Sequence, residues 1–68
     1  MDRQTQMRHL AQAERHVSLG ARLIAEQERR IAMLSLGVME ARRLLEAFLE
    51  TQAQHIAHRD LILRELNE

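Results

Sequence analysis

Residues 10–45 read LAQAERHVSLGARLIAEQERRIAMLSLGVMEARRLL. Within that stretch Leu10, Val17, Ile24, Ile31, Val38 and Leu45 recur every seven residues, and Leu66 returns on the same phase. Seven residues make two turns of an α-helix, so these side chains line one seam that must be buried against another helix. The fold class that follows is all-α. Ala, Leu, Glu, Gln, Arg and Met dominate the remaining positions, and no proline interrupts them, which suits uninterrupted helices.

The punctuation comes from two glycines, Gly20 and Gly37. Gly20 lies inside a strongly periodic run and reads as a close-packing position. Gly37 follows Met33-Leu34-Ser35-Leu36 near the midpoint and suits the left-handed residue that ends a helix. Val38 and Met39 then open a second helix, with Glu40 in the first turn where the helix dipole favours an acid. The expected organisation is a single antiparallel helical hairpin over 1–68: a helix over about 4–35, a turn at about 36–38 and a helix over about 39–66. The alternative is a continuous coiled-coil helix, because the heptad phase passes from Ile31 through Val38 to Leu45 without a slip.

Two stretches, HLAQAERHV and EARRLLEAFLETQAQHIAHRDLILREL, resemble a group of short, uncharacterised bacterial proteins. In that group two helices are joined by a glycine-containing loop, often with Asp and Thr after the glycine; here Val38 and Met39 follow Gly37. The resemblance implies a two-helix architecture and a bacterial source, and it implies no activity.

Advancing each residue by about 100° gives the expected apolar stripes. In the first helix the stripe is Leu10, Ala13, Val17, Gly20, Ala21, Ile24, Ile31 and Leu34. In the second it is Val38, Ala41, Leu45, Phe48, Leu49, Ala53, Ile56, Leu63 and Leu66. One flank of this seam reads as solvated, with Glu14, Glu28, Arg42, Glu46 and Asp60. The other carries Leu19, Leu23, Leu34, Leu44, His55, Ile62 and Leu66, and those are the expected interface residues. An exposed flank so rich in leucine is rare on a soluble monomer, and 68 residues are near the lower limit for a self-sufficient core. Dimerisation into a four-helix bundle resolves both difficulties.

The histidines are the groups most able to carry chemistry. His55 and His58 are three apart, hence on one helix face. With the turn centred near Gly37, residues whose numbers sum to about 73 lie level, which sets His16 opposite Ala57, between His55 and His58. Three imidazoles would suit zinc, copper or nickel. The carboxylates that complete a di-iron bundle site are missing, with Gln52 standing where a glutamate is needed. No cofactor is therefore expected, and His16, His55 and His58 stay as candidates for a histidine-based metal site. Imidazoles at an interface rim would also make it sensitive to pH.

Composition excludes several classes. There is no cysteine, hence neither a disulfide framework nor a thiolate metal site. Ten basic and ten acidic residues cancel, so no net field directs the chain to nucleic acid or membrane. The pairs Arg29-Arg30 and Arg42-Arg43 read as partners of Glu26, Glu28 and Glu40 in intrahelical salt bridges. No apolar run approaches the roughly 20 residues of a membrane span, and the N-terminus lacks the apolar core of a signal peptide; a cytoplasmic location is the expectation. Thr5, Ser18, Ser35 and Thr51 are the hydroxyl residues, and none sits in a nucleophile motif. The reading is a non-enzymatic, self-associating helical module, a homodimer with a possible further helical protein partner.

Overall fold

The computed structural model describes residues 2–68, and among them the chain is all-α, two helices with no strands. Helix α1 spans Arg3–Met33 and α2 spans Val38–Leu66. The chain is therefore not one unbroken helix. Its Cα atoms extend 51 × 14 × 13 Å, against about 100 Å for a rod of this many residues at 1.5 Å each. Side-chain bonds between the helices run from Arg3 to the carbonyl of Leu66, from Gln6 to Glu65, from Gln52 to the carbonyl of Val17 and from Gln27 to that of Ala41. This pairing of early with late residues fits a helical hairpin.

Local chemistry explains where each helix starts and stops. Asp2 caps α1, its carboxylate accepting from the Thr5 N–H at 2.7 Å. Those bonds to the charged form hold the Asp2 carboxyl below its ordinary pKa. Helix α1 ends at Met33 because Leu34 turns extended (φ −82°, ψ 140°). Gly37 is left-handed, φ 74° and ψ 18°, but it serves as the N-cap of α2 rather than as the residue that ends α1. Its carbonyl accepts the Ala41 N–H at 3.1 Å. The connection is thus Leu34–Gly37, beginning two residues earlier than the glycine signal alone suggests. No neighbouring atom crowds a Cβ at Gly37, so the requirement is purely conformational. Gly37→Ala should lower stability by about 1 kcal/mol, the cost of holding an L-residue left-handed. Chemical denaturation would show it, and Gly37→Asn should recover part of the loss.

Every third or fourth residue from Gln6 to Ile31, and again from Val38 to Leu66, is buried or half-buried. The seam therefore keeps a strict seven-residue repeat in both helices, the spacing of a coiled coil. In α2 this corrects the expected stripe. Gln52, His55, Arg59 and Ile62 face α1, while Leu49, Ala53, Ile56 and Leu63 are exposed. Apolar identity draws the eye to the latter set, which drifts off the seam at the 3.6-residue period of a straight helix.

Three glutamines are among the buried residues: Gln27 at 3% exposure, Gln6 and Gln52 at 8% each. Their long side chains stay in the seam because each carboxamide donates across it. Gln6 Nε2 reaches Glu65 Oε2 at 2.6 Å, Gln27 Nε2 the carbonyl of Ala41 at 3.0 Å, and Gln52 Nε2 the carbonyl of Val17 at 2.8 Å. Bonds at three heights penalise any slip of one helix along the other, since a shift would strand buried polar groups. Gly20 makes room for the third: a Cβ built there would fall on the Gln52 carboxamide.

Candidate interaction flank

The helices leave a groove on one side of the seam, lined by Leu19, Leu23, Phe48, Thr51, His16 and His55 and floored by Gly20 and Gln52, with a volume of about 240 Å³. Leu19 and Leu44 on this flank are 50% and 44% exposed, and Leu23 is half-buried. Of the other expected interface residues, Leu34 lies in the connection, 42% exposed. Leu66 is half-buried at the end of α2, its carbonyl accepting from Arg3 at 3.1 Å. His55 is half-buried beside His16. Ile62 is corrected: at 4% exposure it belongs to the seam within one chain and is closed to any partner. It occupies the heptad position seven residues beyond His55, which turns it toward α1.

The histidines are arranged differently from the expectation. His16 stands level with His55, their ring centroids 5.2 Å apart and tilted by 45°. The connection is centred between Ser35 and Leu36, so the pairing is displaced by two residues from one centred on Gly37. His58 is exposed and borders a separate depression with His9, Gln12 and His16. His16, His55 and His58 therefore do not converge. Among the described residues no group of three or more His, Cys, Asp or Glu is placed to hold a metal ion.

The opposite flank, read from sequence as solvated, is mixed. Glu28, Arg42 and Glu46 are there, bordering a shallow groove with Ile31, Leu45 and Leu49. Leu49 is 49% exposed, Ile56 37% and Leu63 36%, each displaced from the seam by Gln52, His55 and Ile62. The signal that could have found them was present: extending the phase of Leu45 by sevens passes through Gln52 and Arg59 before reaching Leu66.

The arginine pairs near the connection are not in salt bridges. Among the described residues the ion pair is Arg59–Asp60, adjacent in sequence, at 3.1 Å. Arg30 donates instead to the Gln27 carboxamide oxygen at 3.5 Å, a long contact. The acids offered as partners leave these guanidinium groups unpaired.

No family model, curated protein or solved structure matches the chain. No helix among the described residues is long and apolar enough to cross a membrane.

Proposed function

We propose that this chain is a self-associating helical interaction module, an antiparallel hairpin that dimerises through the flank of Leu19, Leu23 and Leu44 into a four-helix bundle. The observation that carries this reading is the unfinished core. Among the described residues the buried apolar side chains are Ala13 and Ile62 alone, and no side chain is fully enclosed. The chain exposes 5391 Å², whereas a compact monomer of 8.0 kDa would expose about 4,450 Å². The excess, about 900 Å² by that scaling, is close to the roughly 800 Å² that each partner loses in a stable interface.

The Leu19/Leu23/Leu44 flank is favoured over its opposite for two reasons. Its groove is walled by Phe48 and two leucines, a shape that accepts an apolar ridge from a second copy. The other flank interleaves its apolar residues with Glu28, Arg42 and Glu46, charges whose burial is costly. Thr51 lines the groove with His16 and His55, but its hydroxyl sits in no nucleophile motif, and the role we propose is not enzymatic. The cellular partner, if there is one beyond a second copy, would be another apolar helix face.

Sedimentation equilibrium on the full chain tests the reading directly. A species of twice the chain mass is expected at micromolar concentration, with helicity falling on dilution as the bundle dissociates. A monomer that stays fully helical at every dilution would refute it. Scattering would separately show whether the building block is the hairpin, whose length is half that of a rod.

A further inference from the structure

The groove that the dimer would close holds two side chains able to bind a metal, one from each helix. His16 of α1 is exposed and His55 of α2 is half-buried, and both line the groove beside Leu19, Leu23 and Phe48. Their ring centroids are 5.2 Å apart. Zinc binds imidazole nitrogen at about 2.0–2.1 Å, which puts each ring centroid about 3.2 Å from the metal; a tetrahedral angle then separates two such centroids by about 5.2 Å. The two rings thus already stand at the spacing of two ligands on one tetrahedral ion. Their 45° tilt is compatible with this, because the coordination angle does not fix the angle between ring planes.

The groove also selects the class of ion. None of its lining residues is a carboxylate, and calcium and magnesium are held chiefly by carboxylate and carbonyl oxygens. Imidazole nitrogen suits zinc, copper or nickel. One chain alone offers half a site: among the described residues no third His, Cys, Asp or Glu joins the pair. We propose that the second copy completes it, His16 and His55 of each chain binding one zinc-class transition-metal ion at the two-fold axis of the flank dimer. The proposal rests on the self-association described above and gives that assembly a ligand and a regulator.

Position along the helices supports the shared site. A residue on a two-fold axis meets its own counterpart, so a pair of imidazoles there becomes four. His16 lies two residues from the centre of α1 and His55 three from the centre of α2, which is about 3 to 5 Å at 1.5 Å per residue. In the antiparallel arrangement an axis at the histidine level offsets the two hairpins by only about 6 to 9 Å, against their length of 51 Å. The apolar contact of Leu19 and Leu23, one and two helical turns along from His16, is kept. His9 and His58 stand outside the groove, bordering a separate depression, and are not ligands.

Zinc titration of the chelator-treated full chain tests the proposal, with uptake read by calorimetry and mass by sedimentation on the same samples. One zinc per two chains is expected. With free zinc held at ten times its dissociation constant, dimerisation should be about 10-fold tighter than in chelator. His16→Phe keeps a ring against His55 but removes the ligating nitrogen. It should abolish zinc uptake at unchanged helicity, because His16 is exposed in the single chain. His58→Gln should bind zinc as the parent does. The proposal is overturned if the chain takes up no zinc or binds one ion per chain. It is equally overturned if His16→Phe binds as well as the parent, which would reduce the two rings to an ordinary aromatic contact. Mass in chelator decides the dimer reading separately. A helical monomer there refutes metal-free assembly, whereas a zinc-induced dimer with one ion per two chains would still uphold the site.

Discussion

Leu19→Asp and Leu23→Asp should each break the assembly and take most of the helicity with it. In the proposed bundle both side chains are buried against the second copy, and an unpartnered carboxylate there costs about 3–5 kcal/mol. Two-fold symmetry buries it twice. Even a single such charge weakens association by roughly 10²- to 10⁴-fold, which moves the dimer out of reach at micromolar concentration. The released chain has little core of its own, with Ala13 and Ile62 alone as buried apolar residues among those described, so dissociation and unfolding should coincide. Leu19 is the cleaner probe because it is 50% exposed in the single chain and its replacement does little to the packing of α1 on α2. Leu23, half-buried, affects both. Sedimentation and circular dichroism over a concentration series would read the result. If both variants remain dimers of unchanged mass, the interface lies on the other flank, and Ile56→Asp becomes the disruptive change.

The second large effect is a change of sign. In a helix interior Gly→Ala ordinarily stabilises by about 1 kcal/mol. At Gly20 the added Cβ would land on the Gln52 carboxamide, driving that side chain out and breaking its 2.8 Å bond to the Val17 carbonyl. Gln52 Oε1 has no hydrogen-bond partner where it lies, so the donated Nε2–H is what holds the group in place. Losing a buried amide bond costs about 1–3 kcal/mol, which outweighs the propensity gain; Gly20→Ala should therefore destabilise by about 1 kcal/mol net. In a Gln52→Ala background the obstruction is gone and the same substitution should stabilise by about 1 kcal/mol. The coupling of about 2 kcal/mol is typical of residues in contact. Urea unfolding of the four proteins at one chain concentration would measure it. Equal effects of Gly20→Ala in both backgrounds would show that the two residues do not depend on each other.

The legibility of the seam in α2 was uneven. Val38, Ala41, Leu45 and Phe48 could be read because they are apolar and correctly spaced. Beyond Phe48 the spacing and the chemistry disagree, since the heptad positions hold Gln52, His55 and Arg59 while leucines and isoleucine occupy the neighbouring ones. Hydrophobicity alone then rotates the helix the wrong way. A long carboxamide can be buried when a backbone carbonyl stands within reach, and Val17 supplies one only because Gly20 lets the side chain cross. That condition belongs to the partner helix and is invisible in α2 itself.

The candidate site divides along the same line. Leu19, Leu23 and Leu44 were recognisable as an uncovered flank because their positions follow from helix geometry within α1 and α2 separately. The histidine trio was not, because it depended on the register between the helices. Helix α1 stops at Met33, before the glycine, and that small difference sets His16 against His55 and leaves His58 elsewhere. The arginine pairs were misjudged for a related reason. Acids at suitable spacing were present, but an exposed ion pair gains too little to hold two long side chains together.

What the sequence by itself determined is the helical character of the chain and its seven-residue repeat; it favoured a break near Gly37 over a continuous helix, and the structure places that break at Leu34–Gly37. Those are properties of local propensity and periodicity, carried by residues within a turn or two of one another. The rotation of α2 about its axis, the level at which His16 meets α2, and the exposure of the loop end were decided only in the tertiary structure. Each depends on where a second helix lies, and that position is set jointly by the length of the connection and by polar bonds across the seam between residues up to 63 positions apart.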